Sequence, residues 1–204
     1  MQSCEYAGQP FSEPRSHPWT DTSGPDAGQY FDLKSHPELI RTALEDLVPW
    51  SHYAAVTGLY ELLEDVNAPG SLLESNDCAF SGPEINDMPQ FAKVLQCQGR
   101  VMVLYRDLAR NLEERNVESL KNAIHVLLAQ RDQEFEWGMV GTSTIPVRYR
   151  HVPDLDGAQH GHQLMLSFWA WGDTEAELMQ NLSRLVGNLA HAVKNSSRTQ
   201  AEMS

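Results

Sequence analysis

Positive charge is scarce in this chain. Fifteen Lys and Arg residues stand against 28 Asp and Glu, a formal net charge of −13. A surface of that sign repels phosphate backbones and anionic headgroups. Nucleic acid and membrane are therefore not expected as partners, and a basic protein is the complementary one. Long apolar runs are also missing. No stretch approaches the roughly 18 apolar residues of a membrane-spanning helix. The opening residues, MQSCEYAGQPFSEPRSHPW, lack the basic start and apolar stretch of a secretory signal. Cysteine is sparse, with Cys4, Cys78 and Cys97 odd in number and widely spaced. That excludes a disulfide framework and a paired-cysteine metal motif, and a reducing cytoplasm is the expected location. Cys97 falls in an apolar pattern and reads as a small buried hydrophobe.

Motifs that carry chemistry are absent as well. There is no Gly-x-Ser-x-Gly elbow and no phosphate-cradling glycine loop. Ser, His and Asp occur with nothing in their spacing to position them against one another, so catalysis is not the expectation.

What is present is ordinary globular material: 204 residues, 41% of them hydrophobic, enough for one good core. Residues 1–34 are rich in Pro, Gly, Ser and Asp without apolar periodicity, and predict a flexible arm. Its aromatics, Phe11, Trp19, Tyr30 and Phe31, are unusual in an inert linker and point to some contact with the domain. Residues 35–195 predict a single α+β domain, and 196–204 a polar tail that frays. No internal repeat occurs.

Within the domain, Ser35 with Glu38 three residues later reads as a capping box. Leu39, Ile40, Ala43, Leu44 and Leu47 then predict a first helix, ended by Pro49. Tyr53, Val56, Leu59, Tyr60 and Leu63 predict a second, completing an N-terminal helical hairpin. The stretch SLLESNDCAFSGPE reads as loop with one short strand. Asp87 and Gln90 predict a short helix over DMPQFAKVLQC, ended by Gly99. RVMVLY is apolar on both faces and predicts an interior strand. Residues 117–130 predict a helix. EFEWGMV and IPVRYRHV predict two strands separated by a GTS turn, with Pro146 marking an edge. HQLMLSFWAW predicts a strand beginning near Gln163. Thr174 and Glu177 cap a last helix whose stripe runs Leu178, Leu182, Leu185, Val186, Leu189 and Val193. The fold class is α+β: a largely antiparallel sheet of about four strands with helices packed on it.

Three groups of residues could carry function. His151, His160 and His162 flank one loop, with Asp154 and Asp156 between them. Two His and a carboxylate suit Fe or Zn, but PDLDGAQHGH reads first as a solvated hairpin loop. No metal and no cofactor is therefore expected, Fe or Zn being the alternative. Trp169, Trp171 and Met165 share one strand face. They need a cover from residues 35–66, a ligand or a partner, and left open they would mark an interaction surface. Arg148 and Arg150 could clamp an anion but suit protection of an edge strand. The carboxylate pairs Glu64–Asp65, Glu113–Glu114 and Glu134–Glu136, like His125 and His191, read as solvated surface. The expected function is that of an acidic interaction protein: an adaptor, a chaperone-like factor, or an inhibitor of a basic protein partner. The alternative is a small enzyme or ligand-binding domain using the histidines or a pocket between sheet and helices.

Overall fold

A computed structural model of the chain describes residues 2–5, 15–21 and 28–202. Four long strands form the antiparallel body of the sheet: β5 (Leu73–Ile85), β6 (Leu95–Tyr105), β7 (Gly138–Tyr149) and β8 (Gln159–Gly172). Their spatial order is β7-β8-β6-β5. Two short strands, β1 (Gln2–Glu5) and β2 (Arg15–His17), lie parallel to β7 on its outer side, opposite residues 139–142 and 147–149. The sheet is therefore mixed, and it is not closed into a barrel. A two-stranded ladder of β3 (Thr20–Asp21) and β4 (Gly28–Gln29) stands apart from it. Three α-helices are found among the described residues: α1 (Ala54–Asn67), α2 (Glu114–Gln130) and α3 (Glu175–Glu202). None is long and apolar enough to cross a membrane.

The helices cover one face of the sheet. Alternation along β8 sends Leu164, Leu166, Phe168 and Ala170 into the same core as Val101 and Val103 of β6. Leu178, Leu182, Leu185, Val186, Leu189 and Val193 of α3 are all buried against them. The start of α3 follows the capping pattern. Thr174 Oγ1 accepts from the Glu177 N–H at 3.2 Å, and the Glu177 carboxylate accepts from the Asp173 N–H at 2.8 Å. Cys97 is fully buried, and burial pushes its thiol up to about 12.

Four expected elements differ. No N-terminal helical hairpin forms, because residues 35–50 make only two 3-10 turns, Pro37–Arg41 and Val48–Trp50, ahead of α1. Ser35 caps nothing here; the turns bury Ile40 and Leu47 one by one rather than as a continuous stripe. The helix over residues 87–97 is replaced by a loop leading into β6. The Asn86 side chain donates to three carbonyls of that loop, those of Met88, Phe91 and Lys93, and so competes with helical pairing. SLLESNDCAFSGPE, far from being mostly loop, contains most of a 13-residue strand. Its polar residues sit there because its second face is lined by a polar network. The GTS turn is not a turn: residues 138–149 form one strand paired with β8 throughout. The antiparallel part of the sheet has four strands, but the two parallel additions were hidden in the Pro-rich N-terminal segment. The C-terminal segment expected to fray continues α3 to Glu202, since it contains no helix-breaking residue.

Candidate functional site

The sheet face opposite the helices carries an unusual concentration of buried polar side chains. Glu74, Asn76 and Asp77 of β5, Gln163 of β8 and His17 of β2 are all nine-tenths or more buried. They are joined. His17 Nδ1 lies 2.7 Å from Asn76 Oδ1, and Asn76 Nδ2 donates to Gln163 Oε1 at 2.8 Å. Because Asn76 Oδ1 can only accept, His17 Nδ1 carries the hydrogen. His17 Nε2 lies 3.1 Å from Glu74 Oε1, while Lys34 Nζ donates to Glu74 Oε2. Burial alone would push the Glu74 carboxyl up. The contacts with His17 and Lys34 outweigh that and hold it below the usual carboxylate range. Asp77 is met by Arg100 at 3.3 Å and by Arg15 at 3.7 Å.

This network fastens the N-terminal segment to the sheet. Trp19 is buried, donates its indole N–H to the Asn76 carbonyl at 2.8 Å, and stacks under the Arg15 guanidinium at 3.5 Å. His17 makes edge contacts with Tyr30 and Tyr149. The described stretches of the expected arm therefore lie on the domain; Phe11, expected to help in this, lies outside the described residues. His17 Nδ1 meets Asn76 and its Nε2 faces Glu74, while Glu74 and Asp77 each have cationic neighbours.

Next to the network opens a cavity of about 640 Å³. One wall is six consecutive residues of β5, Ser75 to Phe80; the other comes from residues 28–33 and 43–47. Consecutive strand residues point to alternate faces. They can border one space together only along the edge of the sheet, so the cavity runs beside the outer edge of β5. Trp19 bounds it at one end. Beyond the other end Trp50 lies over Gly82, so closely that a Cβ there would come within 2.3 Å of the ring. Exposed Glu45 and Asp46 line it as well.

The residues singled out from sequence lie elsewhere. β8 starts at Gln159, so His160 and His162 are strand residues rather than part of a free loop. His160 is exposed beside Arg148, and His162 is half-buried, 4.0 Å from Glu114. His151 is exposed. Among the described residues no three His, Cys, Asp or Glu side chains gather as a metal site. Trp169, Trp171 and Met165 are buried, 6%, 0% and 1% exposed, so they form no open patch. The buried residues of 35–66 join Leu164, Leu166 and Phe168 on the other face instead, and Phe91, from the loop before β6, stacks on Trp171 at 3.6 Å between centroids. Trp169 donates to Gln98 at 3.2 Å. Arg148 and Arg150 are exposed, but β7 is not a bare edge, since β2 pairs beside Arg148 and the Arg150 N–H donates to the His17 carbonyl. Pro146, which lacks an N–H, falls between the registers of β1 and β2.

Sequence reasoning missed His17, Glu74, Asn76 and the β5 edge. The available signal was the polar run ESND between apolar LL and AF, too polar for a core strand unless something buries and satisfies it. No family model, no curated protein and no solved structure matches the chain.

Proposed function

We propose that the protein is an acidic interaction domain that binds a basic protein partner without chemical turnover. The observation that carries this is the distribution of charge. The chain's few cations are largely spent on its own carboxylates. Lys93 holds Asp173 and Glu177, Lys121 holds Glu5 and Glu118, Arg41 holds Glu64, and Arg184 holds Asp132. Beyond these pairs Arg148 and Arg150 stay exposed on β7, but exposed carboxylates outnumber them. Glu45, Glu61, Glu134 and Glu136 are exposed and enter no ion pair among the described residues. Such a surface steers a basic partner toward it and turns away acidic ones.

The test is affinity capture from an extract of the source cells, with a Glu45→Lys, Glu61→Lys variant as the control. A basic protein held by the native chain at low salt, lost as salt is raised and lost on the variant, supports the reading. Partners indifferent to both salt and charge reversal, or turnover of a small molecule by the purified chain, would overturn it.

A further inference from the structure

The outer edge of β5 offers hydrogen-bonding groups that the rest of the fold does not use. β5 ends the sheet, pairing only with β6 among the described residues. In an antiparallel pair the N–H and C=O of one residue point toward the partner strand, and those of the next point away. The groups that point away can be identified by what they meet. The Phe80 N–H is reached by the Asp46 carboxylate at 3.4 Å, and the Asn76 carbonyl by the Trp19 indole at 2.8 Å. Cys78, two residues before Phe80 in uninterrupted register, shares its parity, while Asn76 sits at the register shift between Ser75 and Asp77. The outward N–H and C=O of Cys78 meet no backbone partner among the described residues. The cavity lies along this stretch. Side chains therefore stop the edge at Asn76 and Phe80 and leave its middle open.

We infer that this edge is the docking site of the partner, which adds an extended basic segment as a further strand beside Ser75–Phe80. The inference rests on the reading of the protein as a binder of basic partners and locates that binding. Six residues of strand extend roughly 17 Å at about 3.4 Å per step, room for a short added segment. Main-chain pairing with Cys78 supplies registration, and alternate side chains of the guest fall to opposite sides. Charge selects the guest. Glu45 and Asp46 line the cavity and are exposed; with Asp77 they make three lining carboxylates against the two guanidinium groups of Arg15 and Arg100, both of which are directed at Asp77. A segment with lysine or arginine at alternate positions meets, in the wall facing β5, the carboxylates of Glu45 and Asp46 together with apolar Leu33, Leu44 and Leu47.

Strand addition reads the main chain and tolerates sequence, so a degenerate probe suffices. A pool of peptides of about ten residues carries Lys at alternate positions and mixed Val, Thr and Ser between them. A second pool has Glu for Lys, and a third is the Lys pool N-methylated at alternate backbone nitrogens. Binding is read by fluorescence anisotropy, and amide hydrogen exchange at Cys78 by NMR. The Lys pool is expected to bind and to slow Cys78 exchange by about tenfold or more, with the N-methylated and Glu pools at least about tenfold weaker. Glu45→Lys should weaken the Lys pool. Failure of the Lys pool to bind, or binding that leaves Cys78 exchange unchanged, overturns the edge site. The interaction reading survives either result if the extract capture still yields a salt-sensitive basic partner. Slow exchange at Cys78 in the free chain, released by deleting residues 22–27, would show that the chain fills its own edge and would also overturn the inference.

Discussion

Glu74 shows how a charge can be kept in a sheet's interior. Its side chain is about 1% exposed, and it stays ionised because His17 and Lys34 stand against it from outside β5. Removing one member of such a group leaves the others buried and uncompensated, at a cost of roughly 3 kcal/mol or more. Glu74→Gln is expected to show that loss in urea unfolding at neutral pH. The pH dependence has a defined sign. A carboxyl whose folded pKa is depressed stabilises the fold at pH values above its unfolded pKa, about 4.3. That contribution disappears as pH falls through the lower folded value. The gap between native and Glu74→Gln stabilities should therefore be flat above about pH 5 and shrink below about pH 4. A gap unchanged down to the acid limit would mean that Glu74 is not ionised in the fold. Trp19, buried and bonded to β5, is the neighbouring anchor; Trp19→Ala should cost about 3 kcal/mol by the same measurement.

At the scale of elements, the N-terminal strands and α3 have opposite histories in the sequence. The stripe from Leu178 to Val193 was plain, because a helix that buries one face must repeat its apolar residues every three or four positions. Leu182→Ala and Leu185→Ala, at residues with no exposed surface, should each cost about 2–5 kcal/mol. A loss under about 1 kcal/mol at both would remove α3 from the core. β1 and β2 were not legible. Strands of four and three residues are too short for a period, and Gln2–Glu5 and Arg15–His17 contain little that marks a strand. They exist because β7 offers its outer edge, a fact of tertiary structure. A chain beginning at Leu33 loses both strands together with His17 and Trp19. It should be destabilised by at least about 3 kcal/mol, the scale of one buried tryptophan. Unaltered stability of that truncated chain would mean the segment rests on the sheet without supporting it. The loop before β6 failed for a local reason: Asn86 satisfies the carbonyls that a helix would have used.

For the whole molecule, charge was fully legible and site was not. Acidity is a sum over residues and needs no geometry, whereas the β5 cavity needs residues 15–20, 28–47 and 75–80 brought together across the chain. The histidines drew attention because they are near in sequence, while His17 acts on residues 57 and 59 positions away and was passed over. Net charge has its own consequence for stability. At −13 the fold repels itself, and raising salt from about 0.01 to about 0.15 M shortens the screening length from about 30 to about 8 Å. The midpoint of thermal unfolding should rise over that range; a fall would mean that the internal ion pairs outweigh the repulsion. The parallel docking of β1 and β2 on β7 also imposes an order in time. Glu5 pairs opposite Thr142, so residues 2–5 wait during synthesis for a strand made on the order of ten seconds later. During that interval residues 2–5 and 15–17 lack the strand they pair with and stand open to proteases and to other chains. A translation arrest before residue 138 would leave them in that condition.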